Sequence, residues 1–491
     1  MSKQLPEHPD WEQLKKQAKD LLHAVRAGQP EAVARIGNEK RETLALHDAQ
    51  RVVAREYGFP SWTKLKLQVE TRARAAAQVQ FHQAFDADDA EAVKRLLERF
   101  PTPGAMLNPL VSRVRSRAML DALLEARADI DAKHDSLGGG FGVLHQAPPE
   151  VTAYAIQRGA TVDIHAAARL GLESRVRELI AGDPSLVRAP GGDGQTPLHF
   201  AATVAIADFL LDHGADIDAL DVDHVSTPAQ YMVDDRQDVA RRLVERGCRT
   251  DLLMLAALGD FIRIGDLLDR DPACIRLRVT DEFYPMIGSP NAQNGGTIYQ
   301  WKLGWYVSPC DVAQKFGHQV VRRFLWERSP ADVRLLQACW DADLAMARAA
   351  IAEGGLVPAK LSKSDRRNLA HAARNNRLAA VRTMLEVGFP LDGTSQHGAT
   401  ALHWAAYHGN AAMVKLLLQR DPLPPLEVKD ADFGGPPFGW AIHGSYSSWF
   451  RQSGDYGTVV ELLIEAGSEV FSNPRASPEV KAVLRKHGKT D

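Results

Sequence analysis

Apolar residues along most of this chain recur at i, i+3 and i+4, which is the spacing of one face of an α-helix. The clearest case is "DGQTPLHFAATVAIADFLLDHGADIDALD", residues 193–221. Thr196 followed by Pro197 is a helix start, because the hydroxyl caps free backbone N–H groups and proline at the first helical position loses nothing. Leu198, Ala201 and Ala202 make a small apolar face for close packing. A second helix carries Ile206, Phe209 and Leu210, and Gly214 ends it where a left-handed residue is needed. The second-helix pattern recurs with leading positions Val93, Met119, Thr152, Val176, Ile206, Ala240, Ile264, Val321, Ala347, Val381, Val414 and Val460. Terminators follow many of them: Gly159, Gly214, Gly247, Gly388 and Gly467, or the pairs Asp183-Pro184, Asp271-Pro272 and Asp421-Pro422. A helix pair this short cannot bury its own apolar face, whereas stacked neighbours can, so the pattern predicts an α-solenoid.

"GQTPLHFAA", "GATALHWAAYHGN" and "DHGADIDALD" resemble the ankyrin repeat. The resemblance implies an all-α ankyrin-repeat solenoid of about a dozen helix pairs over residues 79–490, some degenerate, with finger hairpins between them. The Thr-Pro-Leu-His box is complete at Thr196–His199 and drifts elsewhere, for example to Ser308-Pro309-Cys310-Asp311 and Thr400-Ala401-Leu402-His403. In the family the box histidines tie inner helices to fingers, which assigns His199 and His403 a structural role and places His165 with them.

Residues 1–75 depart from the repeat. "WEQLKKQAKDLLHAVRAG" reads as an amphipathic helix with Leu14, Ala18, Leu21 and Val25 on one face. "LALHDAQRVVAREYGFPSWTKLKLQVE" reads as helix, turn, and a helix capped by Ser61. This portion resembles a helical module found ahead of ankyrin arrays in bacterial proteins. "TRARAAAQVQ" then reads as a helical join. A helix-turn-helix contacting DNA through Arg51, Arg55, Lys64 and Lys66 is the competing reading; Glu42, Asp48, Glu56 and Glu70 offset that charge and favour a solvated face.

Two intervals between leading positions are long, Ile264 to Val321 and Val414 to Val460. The first places an insertion near 280–307, between "ACIRLRV", read as a finger strand, and the helix start at Ser308. The second places one near 445–455, "SYSSWFRQSGD". In the first, Tyr299 and Trp301 alternate with Gln300 and Lys302 as in a strand with one covered face, and Trp305 follows. The expectation is that 281–307 projects from the stack and overhangs its concave face.

Ankyrin proteins usually bind through finger tips and the inner-helix face. Carried over onto matching positions, the binding residues implied are Gln396, His397, Tyr407, His408, Asp432, Phe433 and His443, joined by Tyr299, Trp301, Lys302 and Trp305 of the insertion. A protein or peptide partner is the first expectation, since large aromatics anchor interfaces. The alternative is a small-molecule or catalytic pocket closed by the insertion, with polar groups from Asp432, His443, His408 and Asp281.

Composition narrows the classes. Net charge is −3, with 59 basic against 62 acidic residues, so nothing pulls the chain globally toward nucleic acid or anionic membrane. No apolar run reaches membrane-spanning length. Cys248, Cys274, Cys310 and Cys339 lack CxxC spacing, which speaks against a disulfide scaffold or zinc site and fits a reducing cytoplasm. No HExxH, GxSxG or phosphate-loop pattern occurs, so no catalytic residue, metal or cofactor is expected.

Overall fold

The computed structural model describes residues 3–6, 9–36, 44–136, 139–286, 295–471 and 475–489. The chain is all-α, 62% helical. Among the described residues the strands are one hairpin, His134–Ser136 with Gly139–Phe141, and an isolated bridge between Thr394 and Thr400. Glu42 and residues 287–294 of the first insertion lie outside the described set.

The chain divides into two compact units, residues 1–167 and 168–491. In the first, Asp10 caps the helix Trp11–Arg26, and Ser61 caps the long helix Trp62–Asp86 by accepting the Lys64 N–H at 3.2 Å. Leu14, Ala18, Leu21 and Val25 are buried together with Val53 of Leu46–Glu56 and with Leu65. The helix Trp62–Asp86 runs unbroken through 71–80, and Phe85 near its end belongs to a second cluster with Val93, Met119, Leu123 and Val151. The N-terminal helices and the first repeats are therefore joined by continuous helix rather than by a linker.

The second unit stacks helix pairs. Representative pairs are Pro197–Phe200 with Val204–Asp212, Leu252–Leu258 with Phe261–Arg270, and Ala401–Tyr407 with Ala411–Leu418. Val176, Ile206, Ala240, Ile264, Val321, Ala347, Val381, Val414 and Val460 are all buried, because each second helix turns its leading position into the layer between repeats. Fingers are mostly short irregular connections. The segment "ACIRLRV" does not form a strand: Pro272–Arg276 is a 3-10 helix. The reason is local. Asp271 accepts the Ala273 N–H at 3.1 Å and Pro272 presets a helical φ, so the chain turns, as it does at Asp183 and Pro184.

Candidate functional site

The box histidines hold the scaffold under the site. His199 Nδ1 accepts the Thr196 N–H at 3.0 Å, and its Nε2 donates to the Ser226 carbonyl at 3.2 Å. His403 repeats this with Thr400 at 3.2 Å and Gly435 at 3.1 Å. Burial lowers the His199 pKa to about 4, so the ring stays neutral and keeps one acceptor and one donor. Near the hairpin, ligand-capable atoms of His145, Asp163 and His165 lie within 4.8 Å of one another. His145 accepts the Gly142 N–H at 2.9 Å and donates to Asp163 at 3.1 Å, while Lys133 reaches Asp163 at 2.8 Å. Burial pushes the Asp163 carboxyl up, but hydrogen bonds from His145, the Ala166 N–H and Lys133 outweigh it and hold the group well below the usual range. The arrangement is a hydrogen-bonded network.

The first insertion differs from its sequence expectation. Tyr299–Lys302 is one helical turn, not an extended strand. Alternation over four residues fits a single turn equally well when the inward positions are Tyr299 and Leu303, which are both buried. Tyr299 donates to one oxygen of Asp251 and Tyr284 to the other, each at 3.2 Å, and their rings meet edge to face at 5.8 Å. Asp251 also caps Leu252–Leu258 through the Met254 N–H at 2.8 Å. The described part of the segment thus packs down onto the repeats instead of projecting. Trp305 and Tyr306 are buried as well, and Trp301 alone of the four rings is open, at 73% exposure. Lys302 is engaged with Asp235 at 3.0 Å.

The C-terminal repeats carry a continuous aromatic row. His397 lies 5.2 Å from Phe433 and pairs with Asp432 at 2.7 Å. Its ring also approaches Trp404, which meets Tyr407 edge to face at 6.0 Å. Tyr407 stacks on His443 at 6.0 Å and meets Trp449 of the second insertion at 6.1 Å. Gly444 permits this: a Cβ there would lie 2.2 Å from the Tyr407 carbonyl oxygen, so only glycine lets Pro437–Ser447 approach Ala401–Tyr407 so closely. At the outside of the row Phe433 is 72% and Trp449 66% exposed. Asp432 and His443 are exposed, and Gln396, His397 and Tyr407 are half-buried.

His408 is different. It is buried, its Nε2 donates to the Arg374 carbonyl at 2.7 Å, and burial lowers its pKa to about 4. Tyr299 and His408 therefore offer a partner no surface; they support the surface from beneath. Asp281 is placed beside Arg367 at 3.5 Å, and among the described residues no contact links it with Asp432 or His443. In the N-terminal helices Arg51 pairs with Asp48 at 2.9 Å and Lys66 with Glu70 at 3.6 Å, which interrupts the basic face a DNA contact needs.

Sequence reasoning missed Arg374. Its guanidinium lies 4.7 Å from the Trp305 ring, 5.4 Å from Trp404 and 6.0 Å from Trp449, and its Nε donates to Gln396 at 3.1 Å. Burial pulls its pKa down to about 10, opposed by the charge of Asp281, so it remains a cation held among indoles. The signal was present: Arg374 follows Ala372-Ala373 as Tyr407 follows Ala405-Ala406. Arg374 links Trp305 of the first insertion with Trp449 of the second.

Among the described residues no helix is long and apolar enough to cross a membrane. No curated protein matches the chain. The family described as ankyrin repeats (3 copies) matches residues 164–254 and 312–426, the stretches whose helix pairs and box histidines are set out above. Ankyrin repeats are generally protein-interaction modules. Residues 164–254 and 312–426 are ankyrin repeats.

Proposed function

We propose that this protein is a binding scaffold whose partner, a protein or peptide presenting apolar side chains, docks on the row from Phe433 through His397, Tyr407 and His443 to Trp449. One observation carries this reading. Two large rings stand mostly in solvent at the edge of an aromatic cluster that already packs well without them. Exposed aromatics backed by a rigid floor are the residues that concentrate interface energy. Arg374 and its three indoles stiffen that floor. Gln396 and Asp432 add polar groups at the rim, and Trp301 is a second, smaller exposed point on the first insertion, with Lys302 beside it held by Asp235. The four cysteines are free, which supports a reducing compartment such as the cytoplasm.

The test is capture from the native host with wild type, Phe433→Ala/Trp449→Ala and Trp301→Ala, followed by titration of each captured protein in purified form. The reading expects a partner whose affinity drops with the double variant and stays with Trp301→Ala. A partner that binds all three equally would move the site elsewhere.

A further inference from the structure

A cavity of about 540 Å³ opens between the segment that begins the first insertion and the stretch before Asn368–Arg374. It shares no lining residue with the aromatic row. Its lining includes Arg278, Thr280, Glu282, Tyr306, Ser364 and Asp365. Arg278 is only 5% exposed, yet among the described residues its guanidinium makes no hydrogen bond and no ion pair. Its Nη1 is fully enclosed without a partner, and its described contact is the face of Tyr306 at 5.6 Å. Thr280 is 3% exposed, and its hydroxyl also lacks a partner. A buried guanidinium is ordinarily paired, because leaving the charge uncompensated is costly. Two such unpaired donors among the lining residues of one cavity of ligand size mark a place suited to an acceptor.

The remaining charges narrow the acceptor's chemistry. Arg276 is occupied by Asp332 at 2.7 Å. Glu282 accepts from the Ser364 hydroxyl and Asp365 from the Ser362 hydroxyl at 2.7 Å; among the described residues neither carboxylate makes an ion pair, and Lys360 is a further cation in the lining. A phosphate dianion would meet these acids as well as Arg278. A carboxylate fits the guanidinium fork with a single charge, and an ammonium at the other end of the same molecule would face Glu282 and Asp365. We propose that this cavity binds a small zwitterion of the amino-acid class, its carboxylate on Arg278 and Thr280 and its ammonium toward Glu282 and Asp365. Phe283, Leu356 and Leu361 supply apolar wall for the rest of the ligand.

Calorimetric titration of the full chain with the free α-amino acids tests this, with inorganic phosphate as the comparison. At least one amino acid is expected to bind saturably. Its carboxamide should bind at least tenfold more weakly, and its N-acetyl derivative should also lose affinity. Arg278→Gln should abolish binding and Thr280→Val weaken it several-fold, with circular dichroism confirming the fold. If Arg278→Gln does not fold, the analogue series on wild type and Thr280→Val decide. The proposal is overturned if no amino acid saturates below about 10 mM, if the carboxamide binds as well as the acid, or if phosphate binds more tightly than any of them.

Discussion

The two insertions are both aromatic and both interrupt the repeat spacing, but they behave oppositely. The first folds most of its rings inward: Tyr299, Trp305 and Tyr306 are buried while Trp301 stays open, and a tyrosine hydroxyl reaches each oxygen of Asp251. The second turns Trp449 outward at 66% exposure, while its far end is pinned by the Asp455 N–H donating to the Gly409 carbonyl at 2.9 Å. What separates them is the polar partner available underneath. A half-buried carboxylate at the start of Leu252–Leu258, Asp251, gives the first segment a reason to descend. Beneath the second, His408 already spends its Nε2 on the Arg374 carbonyl. Aromatic content therefore does not distinguish a plug from a docking surface.

The largest expected effect breaks this comparison if it fails. Tyr299→Ala should lower the unfolding free energy by about 3–5 kcal/mol, since it opens a cavity and strips a hydrogen bond from half-buried Asp251. Deleting 284–304 across a short Gly-Ser turn should likewise cost the flanking repeats their cooperative melt. Urea denaturation that finds Tyr299→Ala no worse than Trp449→Ala would make both insertions surface features.

Acid should weaken the array next. His199 and His408 have folded pKa values of about 4, against 6.5 for the free side chain, because burial disfavours the cation. The unfolded chain then binds more protons between these values. Stability is full above the unfolded value near 6.5 and falls as pH drops toward 4, by at most roughly 3 kcal/mol for each histidine. His408→Gln should remove part of that slope in denaturation series at stepped pH. An unchanged slope would mean that His408 is not held neutral beneath the row.

Gly409→Ala is a smaller perturbation confined to the second insertion. The residue has φ 66°, and a Cβ there would meet the Gly454 Cα and the Tyr456 ring at 2.9 Å. About 1–3 kcal/mol of destabilisation is expected, together with increased exchange of the Asp455 amide seen by hydrogen–deuterium exchange. Unaltered protection at Asp455 would show that the loop is not anchored there.

The smallest effect on stability belongs to Phe433→Ala/Trp449→Ala, whose midpoint should move by no more than about 0.5 kcal/mol for each ring. Partner affinity should fall by about 2 kcal/mol or more. A large loss of stability instead would make these rings part of the packing and remove the basis of the proposed surface.

The repeat architecture was legible because it rests on local rules. Helix starts such as Thr196-Pro197, glycine stops, and apolar leading positions specify each pair, and all nine leading positions from Val176 to Val460 are buried as the spacing requires. Asp271-Pro272 carried a helix-start signal too, and the 3-10 turn there follows it rather than the apolar run that suggests a strand. The aromatic row was legible in part, since His397, Tyr407, Phe433 and His443 occupy positions that face outward in any such repeat. Trp449 and Arg374 were not singled out, although the register of Arg374 was available.

Sequence by itself determined the stacking of helix pairs, because periodicity, caps and terminators act within a few residues of one another. It also determined the neutral, hydrogen-bonded role of His199 and His403, since each contacts its own box threonine three residues away. Tertiary structure alone decided which rings are buried. Tyr299 finds Asp251 and Trp305 finds Arg374 across long stretches of chain, and no local pattern encodes such partners. It also decided that Arg278 and Thr280 share one cavity with Glu282 and Asp365, because the segment carrying the first three and the one carrying Asp365 are separated by five intervening α-helices among the described residues.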